Sequence, residues 1–369
     1  FSSLQVTEEV REHLKTPTFD NWQWEEAEML VLLQVMYTDL DFLTAFQIEP
    51  EALQNFLFEV YCHYNNIPFH NFQHCFCVTQ MMYGLIWLTD LRNKLSRVDL
   101  LIMLTSALCH DLDHPGYNNV YQINAQTDLA LRYNDISPLE NHHCAVAFGI
   151  LAKPECNILK NLSNEQYKLI RGGMIKCILA TDMSRHNEIL NKFKAMQPVF
   201  NFTNKEHKEL MKIMVKVSDI SNEARPMEVA EPWLDCLLQE FFNQSDTEKL
   251  KGLPVTPFMD RDKVSKPSSQ TSFIRFVLLP LFTELTKLFP CLEDSDLFYE
   301  SLPIDISEKC RHRSEASFVA TLSSIQGFYF TVTETKVRVC DFCIGYQIKK
   351  TKQNKQSFTL VLFRREQIK

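Results

Sequence analysis

Glycine is scarce in this sequence: the chain has 8 glycines among 369 residues. Rossmann and P-loop folds bind phosphates through glycine-rich turns, so this scarcity argues against both. The chain also has no run of about 18 apolar residues, the length that a membrane-spanning helix needs, and no visible signal peptide. With 45% hydrophobic and 23% charged residues, it has the composition of a globular protein that can bury a sizeable core.

A surplus of basic charge is also missing. The formal net charge is −8, and residues 1–290 carry 26 Lys and Arg against 36 Asp and Glu, whereas residues 291–369 carry 12 against 10. Because nucleic acids are bound through basic surfaces, the acidic body argues against a nucleic-acid partner.

Cysteine is present but dilute, with 12 residues in the whole chain. A disulfide scaffold needs a higher density and an oxidising compartment, and nothing in the sequence directs the chain to secretion. We therefore expect free thiols and a cytoplasmic, reducing location. Since the first residue is Phe1 rather than methionine, we also expect the chain to be a domain of a longer protein.

Apolar residues recur at helical spacing from residue 6 to residue 290. Residues 100–108 and 210–217, for example, each place an apolar face along one side of a helix, and prolines or paired glycines separate such segments. Ser163, followed three residues later by Gln166, is a capping-box signal for a helix start. These patterns predict an all-α body over residues 1–290, a compact multi-helix array.

The last 79 residues differ in character from this body. Residues 328–333, 337–339 and 358–362 are rich in β-branched and aromatic side chains, which favour strands. Cys340 and Cys343 form a single CxxC pair that, without a second pair, we interpret as two free thiols. We predict that residues 291–369 are a divergent tail of strand-like or disordered character.

Ten of the eleven histidines precede residue 208, and several lie beside acidic residues. His70 and His74 share one helix face, whereas His110 and Asp111 lie at a helix end where their side chains can converge on one ion. Asp219 also closes an apolar helical segment. Two imidazoles and two carboxylates suit zinc or another divalent transition metal. Each motif alone is weak, but three helix ends with ligands in the order H, HD, D predict a metal site.

The order H, HD, D resembles that of the HD-type metal-dependent phosphohydrolases. Longer strings narrow the resemblance: HNFQH, HDLDHPG, LENHH, TDMSRH and DISNEARP look like the catalytic domain of class I cyclic-nucleotide phosphodiesterases. The segment 254–290, which contains FMDRDKV, most resembles the cGMP-specific type 9 members. The resemblance covers residues 1 to about 290 and implies hydrolysis of the 3′,5′-cyclic phosphodiester of cGMP to 5′-GMP.

The resemblance also implies two divalent cations. His74, His110, Asp111 and Asp219 would hold the tighter ion, Zn²⁺. Asp111 would bridge to a second ion, Mg²⁺ or Mn²⁺, and the pair would activate a hydroxide for in-line attack on phosphorus. Four further side chains are expected to hold the waters around the ions: Asp113, His114, Glu140 and Thr181.

By the same resemblance, His70 is the general acid for the leaving 3′ oxygen, and Glu240 keeps its imidazole oriented and charged. From the sequence alone, Glu240 is better interpreted as an exposed acid on an amphipathic helix. Gln270 would bind the purine edge and Phe273 would stack on the purine face. Six more side chains are expected to line the base pocket: Met183, Ile220, Asn222, Glu223, Leu237 and Phe241. A glutamine amide can serve either guanine or adenine, so the cGMP preference rests on the type 9 resemblance.

Two other functions stay open. One is an HD-type hydrolase of linear nucleotides, which would want a basic phosphate-binding patch that the acidic body does not supply. The other is a catalytically impaired variant that acts only through dimerisation or partner binding, since residues 291–369 replace the closing helix expected of the type 9 pattern. The sequence does not decide the oligomeric state, and a homodimer is one candidate.

Overall fold

Helices form where the apolar periodicity places them. A computed structural model describes residues 5–204 and 207–292, and the backbone of residues 330–332, 345–350 and 358–363. By their contacts the residues divide into two units, Phe1–Leu302 and Pro303–Lys369. The described residues of the first unit contain helices, turns and loops but no strand. The prediction of an all-α body is therefore confirmed.

Sixteen α-helices lie in the described residues of the first unit. In chain order they are α1 (Glu8–Leu14), α2 (Glu26–Asp39), α3 (Phe42–Ala45), α4 (Pro50–Cys62), α5 (Phe72–Leu88), α6 (Leu91–Lys94), α7 (Arg97–Cys109), α8 (Asn119–Asn124), α9 (Asp128–Arg132), α10 (Pro138–Leu151), α11 (Asn164–Leu179), α12 (His186–Met196), α13 (His207–Asp219), α14 (Met227–Lys251), α15 (Lys266–Phe273) and α16 (Leu279–Leu288). Within the described part of the chain, no helix has the length and apolarity to cross a membrane.

Helices α5, α7 and α13 form the centre of this unit, and α11 packs on α7. On α7, every residue from position 100 to position 109 is buried, so this helix has no polar face along most of its length. Such a helix belongs in an interior, where burial of each leucine contributes about 1.5–3 kcal/mol. The paired glycines do not separate two helical segments as expected but lie inside α11, where Gly173 allows a close approach, because a Cβ there would lie 2.5 Å from Cδ1 of Ile102.

Local capping sets where the central helices begin. Asn71 caps α5, since its Oδ1 accepts a hydrogen bond from the amide of His74 at 3.1 Å. Ser96 caps α7 in the same way. The predicted capping box of Ser163 and Gln166 is confirmed at the start of α11. Capping thus places His74 in the first turn of α5 rather than in a loop.

A wide turn separates the last two helices. Residues Ile274–Leu278 form a π-helical turn between α15 and α16. Pro280 follows closely, and because proline has no amide hydrogen it cannot complete an α-helical ladder there. The helical unit then continues through the short 3₁₀ turn Pro290–Leu292, in which Leu292 is buried. The predicted domain boundary at residue 290 stays a prediction.

The second unit contains a three-stranded antiparallel sheet. Its strands are β1 (Phe330–Val332), β2 (Gly345–Lys350) and β3 (Phe358–Phe363), with β3 in the centre. Strands β1 and β3 lie at predicted strand-favouring segments, and Thr331 is paired with Thr359. Strand β2 is not predicted from the sequence, because it ends in two lysines and overlaps the polar, basic stretch 349–355. The predicted segment 337–339 and the CxxC pair lie outside the described residues.

Candidate metal centre and active site

Four side chains meet where α5 begins and where α7 and α13 end. His74 lies in the first turn of α5, His110 and Asp111 directly follow α7, and Asp219 is the last residue of α13. One donor atom of each side chain lies within 4.8 Å of the donor atoms of the others. Both histidines are fully buried and Asp111 is nearly so. The structure therefore brings together the four residues predicted to hold the tighter metal; we call them the metal cluster.

Each Nε2 atom in the metal cluster faces both carboxylates. His110 Nε2 lies 2.9 Å from Asp111 Oδ2 and 3.2 Å from Asp219 Oδ1. His74 Nε2 lies 3.3 Å from Asp219 Oδ1 and 3.5 Å from Asp111 Oδ2. The other nitrogen of His110, Nδ1, donates a hydrogen bond to the carbonyl of Ala107 at 2.7 Å, which leaves Nε2 for a metal ion. Among the described residues, this Nε2 has no well-directed hydrogen-bond partner.

The metal cluster carries more negative than positive charge, which favours the binding of a cation. Burial opposes the ionisation of Asp111, but His110 and His70 outweigh it and hold the pKa of Asp111 well below its usual value. Burial also opposes the ionisation of Asp219, and His110 again lowers its pKa. Against the effect of burial, the two carboxylates raise the pKa of His110. Within the protein alone they thus hold a proton on His110, and a divalent cation would take the place of that proton. The mixed nitrogen and oxygen donors fit zinc or another divalent transition metal.

A second set of groups, the acid pair of His70 and Glu240, lies beside the metal cluster. His70 Nδ1 donates a hydrogen bond to Glu240 Oε1. Glu240 Oε2 accepts hydrogen bonds from the amides of Phe69 at 2.9 Å and of His70 at 3.1 Å. These contacts fix a carboxylate from the middle of α14 against the bend before α5. His70 lies in this bend, outside the helix, and not on one helix face with His74 as expected.

The acid pair is charged at neutral pH. Burial opposes the charged form of His70, but Glu240 and Asp111 outweigh it and raise the pKa of His70 to about 9. Burial likewise opposes the ionisation of Glu240, yet His70 lowers the pKa of Glu240 to about 2. Since Nδ1 of the imidazolium is bound to Glu240, its Nε2 carries the proton that can be donated.

The loop after Asp111 supports both sets of groups. His114 stacks on His70 with ring centroids 4.0 Å apart and planes within 16°. Burial and the charge of His70 lower the pKa of His114 well below its usual value, so its ring is neutral. Asp113 accepts hydrogen bonds from His142 at 2.7 Å and from Asn65 at 3.0 Å.

Glu140 and Thr181 lie on two other elements. Glu140, in the first turn of α10, accepts two hydrogen bonds from Asn119 at 2.9 and 3.1 Å. Burial and the charge of Asp182 raise the pKa of Glu140 to about 7. Thr181 follows α11 and donates its hydroxyl hydrogen to the carbonyl of Ile178 at 2.7 Å, so its oxygen keeps lone pairs that can accept from a water.

His143, for which the sequence predicts no role, contacts the metal cluster. Its Nδ1 donates to the carbonyl of Leu112 at 2.6 Å, and its Nε2 lies 3.6 Å from Asp111 Oδ1. Burial lowers the pKa of His143 to about 4, so the ring is neutral. His143 lies three residues after Glu140 on α10, and this spacing within LENHH is the signal that could have identified it.

Comparison with known proteins decides the family. The family described as 3′5′-cyclic nucleotide phosphodiesterase matches residues 69–297, a range that includes the metal cluster and the acid pair. The chain belongs to this phosphodiesterase family. The resemblance inferred from its motifs is confirmed.

Several phosphodiesterases are similar along most of this chain. The high affinity cGMP-specific 3′,5′-cyclic phosphodiesterase 9A of Homo sapiens is 60% identical over 290 residues, which are 78% of this chain and 49% of that protein. The protein of the same name in Mus musculus is 59% identical over 293 residues, 79% of this chain and 55% of that protein. The chain thus spans about half the length of the curated relatives it matches.

A solved phosphodiesterase domain shares the fold. The phosphodiesterase domain of the RhoPDE fusion protein from the choanoflagellate Salpingoeca rosetta aligns with a TM-score of 0.75 and 31% identity. The alignment covers 82% of this chain and 96% of that domain. The all-α body is therefore a phosphodiesterase catalytic fold.

Five of the eight predicted base-pocket residues lie on α14, on α15 and beside α12. Gln270 and Phe273 lie one turn apart on α15, and both are half-buried. Leu237 and Phe241 lie four residues apart on α14, next to Glu240, and are half-buried as well. Met183, in the turn before α12, is 45% exposed. Half-buried side chains of this kind can contact a ligand, but their roles stay predictions.

Three more predicted pocket residues directly follow Asp219. Ile220 precedes a 3₁₀ turn, Ser221–Ala224, that contains Asn222 and Glu223. Asn222 is almost fully buried, and within the described residues neither its amide nitrogen nor its amide oxygen has a hydrogen-bond partner. Burial raises the pKa of Glu223 to about 7. A buried side-chain amide without hydrogen bonds is unfavourable, and a ligand bound next to Asn222 can supply the missing donor and acceptor.

Proposed function

We propose that this chain is a metal-dependent phosphodiesterase that hydrolyses the 3′,5′-cyclic phosphodiester of cGMP to 5′-GMP. The observation that carries the proposal is a protonated imidazole next to four donors for a divalent ion. The ring centroids of His70 and His74 lie 5.8 Å apart. A metal site alone suits many hydrolases, whereas an acid beside it suits the cleavage of a bond whose leaving group is an alkoxide.

The four residues of the metal cluster would hold the tighter ion, which we infer to be Zn²⁺, and a second site would take Mg²⁺ or Mn²⁺. When bound, such ions supply Lewis acidity towards phosphate oxygens and lower the pKa of a water molecule. Asp111 is the carboxylate that we expect the two sites to share, since Oδ2 faces His110 while Oδ1 faces His143 at 3.6 Å. We infer that Asp113, His114, Glu140 and Thr181 orient the waters around the second site.

His70 delivers the proton that the leaving 3′ oxygen needs. Its Nδ1 is held by Glu240, so Nε2 is the donating atom. Rotation of the ring would break its bond to a carboxylate that two backbone amides hold in place, and the orientation of the acid is therefore set before substrate binds. After the transfer, the neutral imidazole beside Glu240 draws a new proton from solvent.

The choice of cGMP is supported by the names of the relatives that are 59 and 60% identical. Gln270 offers a donor and an acceptor to a purine edge, and Phe273 offers a ring face. The orientation of the Gln270 amide would decide between guanine and adenine.

The cysteines of the described residues are free thiols, which supports our inference of a reducing, cytoplasmic compartment. We infer a catalytic domain over residues 1–290, followed by a divergent tail. A homodimer is a further hypothesis, which light scattering of the purified chain would test.

The test of the function is turnover by the purified chain, tail included, with Zn²⁺ and Mg²⁺. We expect conversion of cGMP to 5′-GMP, slower conversion of cAMP, and loss of both after chelation. Chromatography of the products separates these outcomes. Cleavage of linear nucleoside triphosphates instead would favour the HD-type alternative, and full metal occupancy without turnover would favour the catalytically impaired variant.

A further inference from the structure

A lysine is buried on the helix that ends in a metal-cluster residue. Lys216 lies on α13, three residues before Asp219, and is 1% exposed. Burying an ammonium group is costly unless it is hydrogen-bonded and placed near negative charge. Its Nζ donates a hydrogen bond to the carbonyl of Ala180 at 3.0 Å and lies 3.9 Å from Met183 Sδ. The side chain that joins α13 to the segment after α11 is therefore a charged one, whose burial costs free energy.

The acceptor of this hydrogen bond has a special position. Ala180 ends α11, where backbone carbonyls have no partner within the helix and the helix dipole favours a cation. The next three residues are Thr181, Asp182 and Met183, which we call the 181–183 turn. Thr181 is expected to orient a water molecule near the second metal site, and Met183 is expected to line the base pocket. Lys216 therefore holds the start of a turn that carries two predicted functional residues.

The 181–183 turn is also held from its other side. Asp182 Oδ2 accepts a hydrogen bond from the hydroxyl of Ser137 at 2.6 Å, and its Oδ1 accepts one from the amide of Ser184 at 2.8 Å. These contacts tie the turn to the start of α10, near Glu140. The lysine contact, by contrast, ties it to α13 and so to Asp219.

The charges around Lys216 keep it protonated at neutral pH. Burial lowers its pKa, whereas Asp219, Asp182 and Glu140 raise it, and the resulting pKa is about 8. The ammonium therefore lies among carboxylates of α10, of α13 and of the 181–183 turn. A neutral side chain of the same length would keep the packing of the stem but lose both the hydrogen bond and this charge.

We propose that Lys216 is a positioning residue for the phosphodiesterase reaction: it locks the 181–183 turn to α13 and so sets the distance between the metal cluster and the side of the site that takes the second ion and the base. This inference rests on the proposed function. Lys216 itself does not touch the reacting atoms.

The test compares Lys216→Met, which keeps the stem, with Lys216→Arg, which keeps the charge and a donor. We expect Lys216→Met to weaken binding of Mn²⁺ to the zinc-loaded protein by about tenfold, as measured by electron paramagnetic resonance without turnover, and to raise KM for cGMP more than it lowers kcat. Lys216→Arg should recover most of the Mn²⁺ affinity. Lys212→Met, one turn earlier on α13, removes a lysine that pairs with Glu209 at 3.0 Å and should leave both quantities unchanged.

A folded Lys216→Met protein with wild-type Mn²⁺ affinity and KM would overturn the inference. If that variant does not fold, Ser137→Ala loosens the same turn from its other side without removing a buried charge. It should weaken Mn²⁺ binding about threefold, and an unchanged affinity would overturn the inference too. A wild-type chain that binds both metals but does not hydrolyse cGMP would reject the proposed function instead, while the Mn²⁺ measurements would still decide the role of Lys216.

Discussion

In the metal cluster one buried and one half-buried carboxylate face two imidazole nitrogens, whereas in the acid pair one carboxylate faces one imidazole. The acid pair satisfies itself: Glu240 accepts three hydrogen bonds, and the charges of the two partners balance. The metal cluster does not, because its two carboxylates converge on two imidazoles of which only His110 is held protonated, so one negative charge is left without a positive partner. The difference suggests that the first set of groups is built to hold an exchangeable cation and the second to hold an exchangeable proton.

The largest effect should come from Asp219→Asn, which removes one of the two negative charges of the metal cluster. We expect loss of bound zinc and a fall in kcat of at least about a thousandfold, because the Lewis acid is lost together with its ligand. Elemental analysis after dialysis, together with turnover of cGMP, measures both. Asp246→Asn is the control, since this exposed carboxylate pairs with Arg261 on the surface and should keep zinc and activity. Full zinc occupancy in Asp219→Asn would show that the metal cluster is assigned wrongly.

His70→Ala should separate the two sets of groups. It removes the proton donor but no metal ligand, so we expect kcat to fall by about 10²–10⁴ while the zinc content stays as in the wild type. The same elemental analysis and turnover assay apply. Loss of zinc in this variant would mean that His70 is a metal ligand and that the contrast between the two sets is wrong.

Glu240→Gln keeps the shape of the acid pair but removes its negative charge. Because Glu240 raises the pKa of His70 to about 9, its removal should lower that pKa. A general acid works only while it is protonated, so the alkaline fall in kcat should move to lower pH. At mildly alkaline pH we expect a loss of about tenfold, which corresponds to a shift of about one pKa unit. The pH profile of kcat measures this shift. Glu231→Gln is the matched control, since Glu231 is a surface carboxylate on the same helix that pairs with Lys266 at 3.5 Å, and this variant should leave the profile unchanged. An unshifted alkaline limb would contradict the assigned role of Glu240.

Asp113→Asn should have the smallest effect of the four. Its carboxylate accepts hydrogen bonds from His142 and Asn65, and an asparagine can keep only one of these acceptors. A lost hydrogen bond of this kind costs about 0.5–1.5 kcal/mol, so we expect kcat to fall by less than about tenfold and zinc to stay bound. A loss of zinc comparable to that of Asp219→Asn would place Asp113 among the metal ligands.

Local signals predicted the helices and the four donors of the metal cluster. Each donor lies at a helix end that is marked in the sequence: Asn71 caps the helix of His74, a Pro-Gly pair follows His110 and Asp111, and Asp219 closes the apolar segment 210–217. Capping and periodicity depend on residues within one or two turns, so they can be recognised without the rest of the fold. Strand β2 was missed for the opposite reason, since the pairing of its lysine-containing segment with β3 depends on a distant partner.

Other parts of the site could not be predicted from local patterns. Glu240 lies 170 residues after His70, and the sequence pattern by itself favoured an exposed acid; the resemblance to the phosphodiesterases suggested the pairing. His143 and Lys216 are ordinary members of amphipathic helices in the sequence. Only the packing of α10 and α13 brings them to Asp111 and to the 181–183 turn.

The sequence by itself determined which side chains this protein offers for catalysis, and at which helix ends, because caps, breakers and apolar periodicity act over a few residues. The tertiary structure decided which of these side chains are charged. Carboxylates from other parts of the fold make His70 an imidazolium against the effect of burial, whereas burial keeps the ring of His143 neutral although Asp111 lies beside it. Electrostatic interactions depend on distance and desolvation, and both are set only when the helices pack together.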